Sequence, residues 1–142
     1  MSKVESADLI MKLYDLRRED KMREARGWFV AFFPESTAEV MQAMINAETS
    51  AAYRMVTTYW DMAAAFINHG AIDEAMFSEI TGEHIVVFSK IEPFIEELRA
   101  TMGENYLKNL EALIMKQPNA KEMLAARREL MKRWMQARAA QG

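Results

Sequence analysis

The chain reads as an all-α protein: a single-domain bundle of six to seven helices with a long N-terminal helix, spanning residues 1–142. Three observations predict this. Apolar residues recur at 3.6-residue spacing from residue 9 to residue 137, no stretch alternates as a strand does, and only 3 prolines and 5 glycines punctuate the chain. A composition that is 51% hydrophobic can supply a real core.

The first helix is expected to start after Ser6 and to run to Phe33, where Pro34 stops it, with Gly27 as a point of bending. Its ends are apolar, Leu9 to Leu16 at one and Trp28 to Phe33 at the other, while Arg17 to Glu24 is charged and belongs near water. Ser36 and Glu39 form a capping-box pattern that opens a second helix. From Ala52 to Ile67, Val56, Tyr59, Trp60, Ala63 and Phe66 share one face, and Arg54, Thr57, Asp61 and Asn68 lie opposite. Gly70 reads as a left-handed cap and places His69 in the last turn, as a surface residue. Asp73 caps a short helix closed by Gly82. The next helix, Glu83 to Met102, carries Pro93 on its outer side, which predicts a kink. A helix before Pro118 and a last one capped by the stretch from Asn119 complete the bundle. In the last helix Arg127 interrupts the apolar stripe and requires an acid or a route to water.

Net charge is −3, unevenly spread. Residues 70–104 hold eight acids and two bases, a net of −6; residues 119–142 hold six bases and two acids, a net of +4. An acidic middle and a basic tail can attract each other within one chain or between two. Arg127, Arg128, Lys132, Arg133 and Arg138 are read as a solvated, dipole-complementing set, so no nucleic acid is expected. Without cysteine there is no disulfide, thiolate nucleophile or zinc finger, and a cytoplasmic location is expected. The longest apolar runs fall far short of the roughly 20 residues that cross a bilayer.

No catalytic, cofactor-binding or metal-binding residue is assigned. No Glu is followed by His three residues on, as di-iron bundles require, and the phosphate-cradling and hydrolase motifs are missing. Haem ligation would need His69 or His84 beside one of 13 methionines, which more simply fill the core. The polar stripe remains: Asp61 is expected to pair with Arg54, Arg99 or Arg127, as a structural tie rather than a catalytic acid.

Residues 59–99 resemble a family of all-helical bacterial domains with no assigned activity. The resemblance rests on Trp60, Asp61, Gly70, Ile72, Asp73, Phe77, Pro93 and Arg99: an aromatic-rich helix, a Gly-Ile-Asp turn, a short Phe-containing helix and a Pro-interrupted helix ending in Arg. Asp61 stands where glutamate is commoner. The resemblance implies the helical fold and carries no catalytic residue with it.

The first functional expectation is a non-enzymatic interaction module that binds itself or another protein. A helix of roughly 28 residues spans about 42 Å, longer than a compact domain of this size buries. Trp28, Phe29, Phe32 and Phe33 are therefore expected at a homodimer interface. The second expectation is a small apolar ligand held in a core pocket lined by Trp60, Phe88 and Trp134. The third is an enzyme using Arg54, Asp61 and Arg99 on an anionic substrate.

Overall fold

The computed structural model describes residues 2–142. Its elements are α1 (Lys3–Arg18), α2 (Asp20–Val30), α3 (Thr37–Ile45), α4 (Ser50–Asn68), α5 (Glu74–Ile80), α6 (Glu83–Ile91), a 3₁₀ turn (Glu92–Phe94), α7 (Ile95–Met102), α8 (Lys108–Ile114) and α9 (Ala120–Gln141), with no strand among the described residues. The fold is all-α, as expected, with two more helices than expected because two long segments are interrupted.

The long N-terminal helix is broken at Glu19. That residue turns extended, with φ −63° and ψ 141°, and its carboxylate accepts the Met22 amide at 3.0 Å, so it caps a second helix instead of continuing the first. Gly27 lies inside α2 and does not interrupt it. The physical reason for the break lies in the charged middle, which becomes an exposed corner, so that the apolar ends on either side can both turn toward the core. Arg26 holds this corner. Its guanidinium donates to the Arg17 carbonyl at 3.3 Å and clasps Glu83 of α6 with two bonds of 2.9 and 2.8 Å. The start is also earlier than expected, because Ser2 and Glu5 form a full capping box. Ser6 is buried instead, accepting the Asp73 amide at 3.0 Å.

α4 is the central helix and is packed by α2, α3, α6 and α8. Tyr53, Val56, Trp60, Ala63 and Ile67 are buried as the periodicity requires, each large side chain contributing roughly 1.5–3 kcal/mol. Its opposite side is only partly wet, with Arg54 and Thr58 exposed. Thr57 and Ala64 are buried there as well, because α8 covers them, and the Thr57 hydroxyl donates to the Tyr53 carbonyl at 2.9 Å. Gly70 takes φ +81° and Asp73 caps α5 through the Met76 amide at 2.8 Å, both as read from sequence. Exposed Pro93 sits in the 3₁₀ turn that separates α6 from α7. Asn119 does not cap α9 by its side chain; its backbone is left-handed, at φ 59°.

One buried amine organises the end of α2. Lys90 of α6 is 1% exposed, and its Nζ donates to the carbonyls of Phe29 and Val30 at 2.7 and 2.8 Å while lying 4.0 Å from the centre of the Phe33 ring. It acts as a C-cap supplied by another helix, placed where the dipole of α2 favours a cation.

Candidate functional site

The four residues of the expected polar site are not brought together. Asp61 pairs with no arginine. Its carboxylate accepts the Leu110 amide at 2.9 Å and the Asn109 side-chain amide at 3.2 Å, so it caps the first turn of α8 from across the bundle. The reason is local: Leu107, which precedes α8, is left-handed at φ 54° and offers no side-chain cap. Asn68, two turns further along α4, donates to the Asn109 carbonyl at 2.9 Å. Arg99 grips the same helix from α7, meeting Glu111 at 3.1 Å and donating from Nε to the Tyr106 carbonyl at 3.0 Å. Arg54 is exposed on α4 and Arg127 stands on α9, so neither joins them. Asp61 and Arg99 thus both hold α8, and the partners of Asp61 are an amide of the backbone and the Asn109 side chain instead of the arginine expected. Asp61→Ala should lower stability by about 1–2 kcal/mol and speed hydrogen exchange at Leu110, whereas Asp61→Asn, which keeps an acceptor, should cost less. An unchanged exchange rate in Asp61→Ala would show that α8 does not depend on this cap.

The aromatic segment is partly covered within one chain. Phe29 is 2% exposed, Trp28 stacks on Phe32 at 4.7 Å, and Phe32 meets Tyr53 edge-on at 6.3 Å. Helix α2 ends at Val30, so residues 31–33 leave the helix and fold back. Phe29 has no surface to offer a second copy, whereas Trp28, Phe32 and Phe33 stay half-buried. The three residues expected to line a core pocket are not gathered: Trp60 and Phe88 are buried, and Trp60 borders a small gap with Leu13 and Phe77, while Trp134 is 51% exposed on α9.

Sequence reasoning missed a surface groove between α2 and α4. One end, of about 490 Å³, is walled by Leu16, Met22, Met55 and Met62; the other, of about 360 Å³, by Ala25, Trp28 and Ala52, and Met55 lines both. Leu16 and Met62 are 52% and 37% exposed. The rim carries Glu19, Glu24 and Glu48 against Lys21 alone. The only sequence signal for this groove is the spacing of Met55 and Met62, two turns apart on the flank of α4.

A family model described as a domain of unknown function, DUF4760, matches residues 3–117. The chain belongs to this family. No match is found among curated proteins or among solved structures. The DUF4760 match takes in α1 to α8, and hence the whole α2–α4 groove, while α9 lies beyond it. In this DUF4760 chain α9 is anchored by its first half: Leu124 is buried, and Arg128 donates to the Ser89 carbonyl of α6. Its second half is largely exposed, with Leu130 at 52% and Trp134 at 51%, and from Leu130 onward it carries Lys132, Arg133 and Arg138 with no acid. Among the described residues no helix is long and apolar enough to cross a membrane.

Proposed function

We propose that the protein is a non-enzymatic helical interaction module that forms a homodimer by seating the distal half of α9 from each copy in the α2–α4 groove of the other. The observation that carries this reading is complementarity of two surfaces that one chain leaves uncovered: an apolar groove with an acidic rim, and a basic helix exposing Leu130 and Trp134 one turn apart. Their lengths agree. Along α4, Ala51 to Met62 is about 17 Å of groove, and Leu130 to Gln141 is about 17 Å of helix. Apolar residues spaced by four on a helix are the usual anchors for a helix-in-groove contact, and opposite charge at the rim sets the orientation. A reciprocal exchange closes a two-fold dimer without leaving a free groove. The interface thus differs from the aromatic segment, of which only Trp28 lines the groove. The residues expected for the other two readings are not gathered: Trp134 is exposed on α9 away from buried Trp60 and Phe88, and Arg54 does not join Asp61 and Arg99. With no cysteine to protect, we place the module in the cytoplasm, acting without nucleic acid.

Light scattering coupled to size exclusion at micromolar concentration should give about twice the chain mass of 16.4 kDa. Met62→Glu in the groove and Trp134→Glu on α9 should each give monomers, and an equimolar mixture should recover a dimer, because one intact groove then meets one intact helix. A monomeric wild type, or a dimer that survives both substitutions, overturns the reading. Dissociation by Met62→Glu alone would keep the groove and remove α9 as its occupant.

A further inference from the structure

A second cleft, of about 190 Å³, lies between α5, α6, α8 and α9. Its floor is apolar, from Leu113, Ile114 and Met123, and Ser78, Thr81 and His84 line it with polar groups. Two features show unmet demand. His84 is 6% exposed, and its Nδ1 is buried without a partner. Arg127, one turn beyond Met123 on α9, is half-buried and has neither an ion pair nor a hydrogen bond among the described residues. It stands at the His84 end of the cleft: its Nη1 is 3.4 Å from where a Cβ on Gly82 would lie, and its charge contributes to keeping the imidazole neutral. The acids nearby are already matched. Glu74 at the mouth pairs with Lys116 at 3.0 Å, and Glu83 is held by Arg26 at 2.8 Å. The half-buried Arg127 guanidinium, with five donors and no acceptor, is left over, and its partial desolvation is not offset by a counter-charge.

We propose that this cleft binds a small organic monocarboxylate, its carboxylate on the Arg127 guanidinium and the hydroxyls of Ser78 and Thr81, its hydrocarbon body on the apolar floor. A guanidinium matches a carboxylate by two parallel bonds. Arg17 of α1 adds positive charge by donating to Thr81 at 3.4 Å, and Glu74 on the wall opposes a more highly charged anion such as phosphate, which favours a monoanion. The volume lies below the 300–1,000 Å³ range usual for drug-sized ligands, which limits the body to a few carbons.

The test is a titration of the full chain with sodium butanoate, replacing sodium chloride at constant ionic strength, followed by nuclear magnetic resonance of the His84 ring and the Arg127 side chain. Both sets of signals should shift saturably. Arg127→Lys should weaken binding at least tenfold, and Arg127→Gln should abolish the His84 response while backbone signals away from the cleft stay in place. Equal shifts with chloride or with butanamide would reduce the effect to salt or to apolar packing and overturn the carboxylate assignment. So would an unchanged affinity in both Arg127 variants.

Discussion

Raising the pH from 7.5 to 9.5 should stabilise the protein by about 2–3 kcal/mol, and Lys90→Met should remove that gain. Lys90 has no acid beside it, and burial pushes its pKa from 10.5 down to about 7. Across that interval the unfolded chain holds a proton that the folded chain has released. Stability therefore rises with pH, by up to about 1.4 kcal/mol per unit for one group. The cap survives deprotonation, because a neutral amine keeps two N–H donors for the two carbonyls it meets. The window closes near pH 10. There the tyrosines Tyr53 and Tyr59, whose hydroxyls burial holds above their ordinary value of 10.0, begin to act in the opposite sense. Urea unfolding followed by circular dichroism at several pH values, for wild type and Lys90→Met, measures the effect. Parallel pH profiles would mean that Lys90 stays charged in the fold, stabilised by the α2 dipole and the Phe33 ring.

Acid should act through a second buried base. Burial, aided by the charge of Arg127, lowers the pKa of His84 from 6.5 to about 4. The folded state therefore stays neutral while the unfolded chain takes up a proton. Stability is lost as pH falls through 6.5 toward 4, by about 3 kcal/mol for the full interval. His84→Phe keeps a ring against Phe77, whose centre lies 5.1 Å away, and against Trp60 at 6.0 Å, and it should flatten this part of the profile. The comparison is made in buffers free of carboxylates, and as the difference between the two proteins, so that acids titrating in both cancel. A wild-type slope equal to that of His84→Phe between pH 6.5 and 4 would show that the imidazole titrates normally.

The sequence by itself determined the elements whose causes lie within a few residues. Helical periodicity, the Asp73 cap, the left-handed turn at Gly70 and the interruption at Pro93 depend on contacts between residues at most four or five apart, and each is legible as a pattern. The charged stretch from Arg17 to Glu24 was legible as wet, but not as a corner. Continuation and breakage of a helix there differ by little in local energy, and Arg26 tips the balance by reaching Glu83, 57 residues away. The same holds for the candidate sites. Asp61 finds a backbone amide 49 residues on, beside the Asn109 side chain, and Lys90 finds two backbone carbonyls 61 and 60 residues back. Backbone amides and carbonyls leave no mark in a sequence, so a search for acid–base pairs misassigns the groups that bind them. The α2–α4 groove and the cleft beside Arg127 are gaps between helices. Their walls are set by how far apart rigid cylinders are held by the side chains between them, and only the tertiary packing decides that distance.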